Sequence, residues 1–226
     1  MKNSQNISSE VIAIIGGTGA EGSGFAMRWA QAGLDVVIGS RSSQKGERVA
    51  AELREKLGDV KLRGTSNLEA ARMADLVVLS VPYESQEFII ASIKPALAGK
   101  VLVTVVAPLL GEKKGRYTPP PGGSAALEAQ AQVGPETRVV AAFQNVSAHH
   151  LADPQHKIDC DVLVCGAKRA DREKAIALAQ AAGMRGVHAG ALQNSAVVEG
   201  MTAVLISINA IYKTRNAGIR ITGIDV

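Results

Sequence analysis

The segment Gly17-Thr18-Gly19-Ala20-Glu21-Gly22 constrains this chain more than any other. It spells G-x-G-x-x-G. The apolar run Val11-Ile12-Ala13-Ile14-Ile15 stands just before it, and a helix-prone stretch at 21–32 follows, stopped by Gly33. Strand, glycine turn and helix form the context in which this spacing holds a pyrophosphate. In that context Gly17 permits the tight turn, Gly19 lets the backbone approach a phosphate, and Gly22 permits close contact between helix and strand. The start of the helix adds unpaired N–H groups and the positive end of its dipole, and Thr18 adds a hydroxyl donor. Gly17, Thr18, Gly19, Ala20, Glu21 and Gly22 are therefore candidate dinucleotide contacts.

The end of the second strand chooses the form of the dinucleotide. Asp35-Val36-Val37-Ile38-Gly39 reads as that strand. A site for NAD places an acidic residue at its end to hold the ribose 2′-hydroxyl. This chain has Gly39-Ser40-Arg41-Ser42-Ser43-Gln44-Lys45 instead. A carboxylate there would repel a 2′-phosphate, whereas Arg41 can grip one through two N–H groups. Ser40 can add a hydroxyl and Lys45, one helical turn on, a second positive charge. The expected cofactor is NADP(H).

Beyond this point strands and helices alternate. Helical patterns are expected at 42–57, 67–73 and 84–97, and strands at 61–64, 74–81 and 101–106. Such alternation predicts a parallel sheet with right-handed crossovers. In open sheets of this kind ligands lie at the C-terminal strand edge. Ser80, Val81 and Pro82 end one strand there, and Val106, Ala107 and Pro108 end another. Both sets are candidates for the nicotinamide side. Residues 107–123 hold four prolines and read as a long loop, and Ser124 caps a helix reaching to 133. Further strands are expected at 138–143, 161–166 and 187–190. A helix at 171–182 ends at Gly183, and a last one runs from 194 to 213. Along that last helix apolar residues recur at three- and four-residue spacing, as for packing or a dimer interface. The expected fold is α/β: a Rossmann-type doubly wound parallel sheet with a smaller C-terminal α/β extension. Residues 1–145 form the NADP-binding domain and 146–226 the smaller domain.

Composition removes several other classes. Aromatic residues make up only 3% of the chain and the formal net charge is +4. A nucleic-acid binder shows a basic stripe interleaved with aromatics, and none is visible. Cys160 and Cys165 make no disulfide framework and suit a reducing, cytoplasmic setting. No apolar run reaches the roughly 18 residues expected of a membrane helix. The polar residues 1–10 lack a signal-peptide core and read as a short extension. His149, His150, His156, Cys160 and Cys165 cluster in sequence but match no zinc spacing, so no metal is expected. Lys113-Lys114-Gly115-Arg116 reads as a solvated charge run or as a contact for an anionic substrate tail.

Several segments together resemble a known family. Ile15-Gly16-Gly17-Thr18-Gly19, Val37-Ile38-Gly39-Ser40-Arg41, the run from Asp159 to Gly166 and the run from Ala217 to Gly223 are similar to the NADPH-dependent reductases of the deazaflavin coenzyme F420. Ala189-Gly190-Ala191-Leu192 and Asn194 add to the likeness, which covers residues 11–224. The resemblance implies hydride transfer between nicotinamide C4 and deazaflavin C5, with both rings stacked in one cleft. It implies a homodimer whose only other partners are small-molecule cofactors. It places Gln144, Asn145, Val146 and Ala148 beside the deazaflavin, with Gly218 of the tail near the same pocket and Met201 within reach. Many archaeal members carry His at the position of Gln144. Gln cannot become cationic, so the partner of the reduced ring's anion differs here. No catalytic triad or dyad is visible, and none is needed when two cofactors exchange a hydride. Two alternatives remain open: an NADPH-dependent flavin reductase, and a non-catalytic NADP(H)-binding sensor.

Overall fold

The computed structural model describes residues 7–109 and 115–224. The readings made for residues 1–6, and for Lys113 and Lys114, lie outside the described residues.

β1 (Val11–Ile15) shows why the sheet is central. Ile12 and Ile14 face one side, Ala13 and Ile15 the other, and all four are fully buried. Side chains alternate across a strand, so a strand covered on both faces is apolar throughout. β2 (Asp35–Ser40), β3 (Leu62–Ser66), β4 (Leu76–Leu79), β5 (Val101–Thr104) and β6 (Arg138–Ala141) join it in parallel in the order β3-β2-β1-β4-β5-β6. One face is covered by α1 (Ala20–Gln31), α2 (Ser43–Leu57) and α7 (Arg169–Ala181). The other is covered by α3 (Asn67–Met73), α4 (Tyr83–Ile93), α5 (Ala125–Val133) and α8 (Ser195–Ile211). The strand order reverses at β1, between β2 and β4, which opens a crevice at the C-terminal edge.

The sheet then departs from a purely parallel pattern. β7 (Asp161–Gly166) pairs antiparallel with β6 through Val140–Gly166 and Ala141–Cys165, and β8 (Arg185–His188) lies parallel beside β7. The reason is the connection. Only the four-residue α6 (Ala148–Leu151) stands between β6 and β7, too little for a crossover helix, so the chain re-enters the sheet from the edge it left. β8 closes the sheet as an edge strand, two residues earlier than the strand expected at 187–190.

Three other expectations are corrected. The strand expected at 138–143 ends at Ala141, because Phe143 takes φ +75°, outside any strand. The helix expected to reach residue 97 ends at Ile93, and a 3-10 turn, Lys94–Ala96, follows around Pro95, which cannot donate to the helical ladder. Residues 192–211 do have the length and composition of a membrane span. Scattered Ser, Glu, Gly and Thr hid that run. Val198, Ala203 and Leu205 are buried and Glu199 is held against α5, so this is a helix packed into the fold.

The few aromatics are concentrated. Phe25 and Trp29 stack at 4.9 Å and Phe143 meets Phe25 edge-on at 4.9 Å. Trp29 also donates to the Leu178 carbonyl at 2.9 Å. Beside it the buried Arg28 guanidinium donates to the carbonyls of His150, His156 and Ala182 at 2.8, 2.9 and 3.1 Å. These contacts fix the 142–160 connection onto α1.

Candidate functional site

The glycine loop and two neighbouring turns enclose a cleft of about 540 Å³. Thr18 and Gly19 line it from the loop, Ser40, Arg41 and Lys45 from the turn after β2, and Ser80, Val81 and Pro82 from the end of β4. Gly17, Ala20, Glu21 and Gly22 build the loop without being part of this lining. The glycine roles also shift by one residue. Gly16 has φ +77°, and a Cβ there would lie 2.3 Å from the Ser80 carbonyl oxygen. The left-handed turn is therefore at Gly16, not Gly17. A Cβ on Gly22 would lie 2.7 Å from the Gly17 Cα, so Gly22 does let helix and loop touch. Gly19 caps α1, and the leading N–H groups of that helix have no intrahelical partners.

Ser42 caps α2 by accepting from the Lys45 N–H at 3.4 Å. The cap starts the helix where Arg41 and Lys45 flank the cleft. Both are exposed, and neither has an ion-pair partner among the described residues. Two uncommitted cations and the nearly buried Ser40 hydroxyl make this end of the cleft receptive to an anion.

Glu21 lies in the first turn of α1, and its carboxylate accepts from the Ser80 hydroxyl at 3.3 Å. Burial pushes its carboxyl up to about 8, against a smaller opposing effect of that hydrogen bond. At neutral pH it is a neutral acid placed against the residue that lines the cleft.

A second cavity, of about 170 Å³, lies where β6 ends. Gln144, Asn145 and Val146 line it, together with Thr202 from α8 and Ala217 from the tail. Ala148, Met201 and Gly218 do not; their neighbours Ser147, Thr202 and Ala217 stand there instead. The left-handed Phe143, held by its ring contacts, turns the chain so that these residues face the cavity. Gln144 Nε2 donates to the Thr104 carbonyl at 2.9 Å, and Asn145 Nδ2 donates to the Val198 carbonyl at 3.0 Å. The carbonyl oxygens of both side chains are buried without a hydrogen-bond partner. Buried acceptors in that state are rare and call for an explanation.

Val106, Ala107 and Pro108 line neither cavity. β5 ends at Thr104, and Val106 is in the core. Conversely, Asn67, one of two cap candidates with Ser66 for the helix expected at 67–73, lies in the cleft. Ser66 caps α3 by accepting from the Glu69 N–H at 3.3 Å, which leaves the Asn67 side chain to accept from Gly16 N–H at 3.2 Å and line the cleft. A polar residue directly after the cap was the available signal. Glu199 in sequence is one residue of the last helical stretch. It is buried, accepts from the N–H groups of Ala125 and Ala126 at 2.7 and 3.0 Å, and so caps α5 from α8. Its burial raises its carboxyl to about 7. No sequence signal marks a cap supplied from more than seventy residues away.

The His and Cys residues do not assemble. Cys160 and Cys165 are buried free thiols, and the rings of His150 and His156 stack at 4.3 Å. Among the described residues no three His, Cys, Asp or Glu side chains converge as metal ligands.

Fold and cleft are those of the Rossmann class of dinucleotide-dependent oxidoreductases. Comparison with known proteins narrows the class. Residues 11–108 match the family model described as NADP oxidoreductase, coenzyme F420-dependent. The F420-dependent NADP reductase of Methanothermobacter thermautotrophicus is 40% identical over 220 residues, covering 94% of this chain and 95% of that protein. The enzyme of the same name from Methanocaldococcus jannaschii is 40% identical over 95% of this chain and 99% of its own length. The chain belongs to this family of F420-dependent NADP reductases. Among solved structures, one from Arthrobacter sp. FB24, named for the same activity, superposes with a TM-score of 0.81 at 23% identity, covering 95% of this chain and all of the other. At that identity it supports the fold.

Proposed function

We propose that this chain transfers a hydride reversibly between NADP(H) and the deazaflavin coenzyme F420. The observation that carries this reading is the placement of the two cavities. The first opens at the end of β4 and the second at the ends of β5 and β6, where Gln144 is tied to Thr104. β4 and β5 are paired neighbours, and neighbouring strands lie about 4.8 Å apart. Two cofactors held at those edges have their rings within reach of each other.

The residues fit this pair. Gly16, Gly19 and the start of α1 cradle the pyrophosphate, and Thr18 adds a hydroxyl. Ser40, Arg41 and Lys45 hold the 2′-phosphate. Ser80, Val81 and Pro82 wall the nicotinamide side. The unpartnered oxygens of Gln144 and Asn145 are acceptors for N–H groups on the edge of the deazaflavin, which supplies the carbon that gives or takes the hydride. What the protein contributes is positioning and exclusion of water. Residues 1–145 serve the dinucleotide, with Gln144 and Asn145 at their end reaching into the second cavity, and residues 146–226 serve the deazaflavin and the contact between subunits.

The second cavity is small beside the roughly 300–1,000 Å³ typical of ligand pockets. We infer that a second copy completes it. Val197, Val204 and Ile211 stand seven residues apart on α8 and are 68%, 54% and 72% exposed. With Met201 and Ile208 they form an apolar seam of heptad spacing along a helix that also lines the cavity.

The deciding experiment mixes purified protein, NADPH and oxidised deazaflavin and follows the deazaflavin absorbance. Turnover is expected. Turnover on FMN alone would replace this reading by a flavin reductase, and NADPH binding with no acceptor turned over would leave a sensor.

Glu21 gives the dinucleotide site a pH dependence. Above pH 8 its carboxylate adds negative charge next to the phosphates. NADPH affinity is expected to weaken there by up to about one decade per pH unit, the limit for one proton. Glu21→Gln should bind NADPH with a flat profile from pH 7 to 9.5 in fluorescence titrations. A wild-type profile that is equally flat would remove Glu21 from this role.

A further inference from the structure

We propose that the buried Asp161 and the partly buried Arg185 paired with it form a positioning device that clamps the C-terminal tail into place as one wall of the second cavity. The proposal rests on the assignment of that cavity to the deazaflavin.

Asp161 opens β7 and is fully buried. Arg185, opening β8, grips it with both arms: Nε to Oδ1 at 2.9 Å and Nη2 to Oδ2 at 2.6 Å. Parallel pairing sets these two residues directly opposite each other. The guanidinium holds the Asp161 carboxyl below the usual carboxylate range. A pair with one partner fully buried is weak evidence for stability, because the desolvation of Asp161 offsets the attraction. What distinguishes it here is where its remaining capacity goes. Asp161 Oδ2 accepts from the Ile221 N–H at 2.7 Å, and Arg185 Nη2 donates to the Ile221 carbonyl at 2.6 Å. The backbone N–H of Asp161 donates to the Ile219 carbonyl at 2.7 Å. The pair therefore grips both polar groups of Ile221, reaches the Ile224 carbonyl through Arg185 Nη1 at 3.4 Å and ion-pairs with Arg220 at 3.5 Å, while the Asp161 backbone adds the hold on Ile219.

That grip fixes the residues just before it. Ile219 is buried, and a Cβ on Gly218 would come within 3.1–3.2 Å of Cys160. The tail thus lies flat on the residue preceding Asp161. Ala217 then falls at the second cavity, where its N–H donates to Asn209 Oδ1 at 3.0 Å. Asn209 lines the same cavity from α8. The clamp is anchored on the sheet, the wall it holds faces Gln144 and Asn145, and no residue of the clamp lines the NADP(H) cleft.

The test uses full-length protein and two substitutions at one tail position. Ile221→Pro deletes the N–H given to Asp161 and leaves the ion pair intact; Ile221→Ala keeps the N–H and serves as control. Three quantities are read: F420 dissociation constant by fluorescence, NADPH dissociation constant, and the rate of tryptic cleavage after the exposed Arg215, just upstream of the clamped residues. For Ile221→Pro, F420 binding should weaken by about tenfold to a hundredfold, as misplacing a positioning group does. Cleavage should accelerate and NADPH binding stay within about twofold, with Ile221→Ala near wild type throughout. Faster cleavage with unchanged F420 affinity overturns the clamp's role in the pocket. Parallel loss of both cofactors shows a general structural role and overturns it as well. If the wild-type chain does not bind F420, the functional reading falls and this proposal with it; if the wild type binds and Ile221→Pro binds equally, only the clamp falls.

Discussion

Arg41→Ala is expected to weaken NADPH binding by about 30-fold or more, while NADH binding changes by less than about threefold. Charge-assisted hydrogen bonds contribute about 1.5–3 kcal/mol each, and about 1.4 kcal/mol corresponds to a factor of ten. Arg41 is exposed and has no ion-pair partner among the described residues. Removing it therefore breaks no internal contact, and the loss falls on the ligand. Exposure also makes the effect salt-dependent, since a Debye length of about 10 Å at 0.1 M screens such pairs. The ratio of NADPH to NADH affinity should accordingly shrink as salt is raised, in wild type more than in the variant. Lys45→Ala should act in the same direction with a smaller effect, because an ammonium lacks the two-pronged fit of a guanidinium. Equal losses for NADPH and NADH would mean that Arg41 supports the loop rather than the 2′-phosphate, and the choice of NADP(H) would then need another cause.

Val204→Lys is expected to abolish the dimer. Val204 is central to the α8 seam and 54% exposed. Fully burying a side chain of this kind contributes about 1.5–3 kcal/mol, and the seam repeats it at neighbouring positions. A lysine at the centre would instead place an unpaired charge in the interface. Sedimentation velocity should show wild-type dimers and variant monomers at the same micromolar concentration. The monomer should keep its NADPH affinity, because Val204 lies outside the cleft. It should lose F420 turnover, because the second cavity would lack its other half. A wild-type monomer with full activity would refute the seam as an interface. A monomeric variant with normal F420 turnover would refute only the shared pocket.

Local chemistry made the first site readable from sequence. Strand, glycine turn and helix are consecutive, and so are Ser40, Arg41 and Lys45. Spacing along the chain then translates directly into spacing around the cleft. The choice among glycines was harder. Gly16 and Gly17 are adjacent, and which of them takes the left-handed turn depends on how close the Ser80 carbonyl comes. Val106, Ala107 and Pro108, expected beside the nicotinamide, stand outside the lining of both cavities for a similar reason. Periodicity finds a strand, but where the ladder ends depends on its neighbour, and β5 stops at Thr104.

The second site was legible only through likeness to a family, and then only to within a residue. Gln144, Asn145 and Val146 are placed by Phe143, whose left-handed backbone is held by packing on Phe25 and Trp29. A phenylalanine carries no local preference for that conformation. The substitution of Ser147, Thr202 and Ala217 for Ala148, Met201 and Gly218 follows from helix phase and from the path of the tail.

By itself, then, the sequence determined a parallel α/β sheet, a glycine turn at the head of α1 and a cationic end to the cleft, because each is written in residues close together along the chain. The tertiary structure alone decided the antiparallel return of β7, the cap that Glu199 supplies to α5 and the hold of Asp161 and Arg185 on the tail. Each of those joins groups tens of residues apart, and only packing determines which distant groups meet.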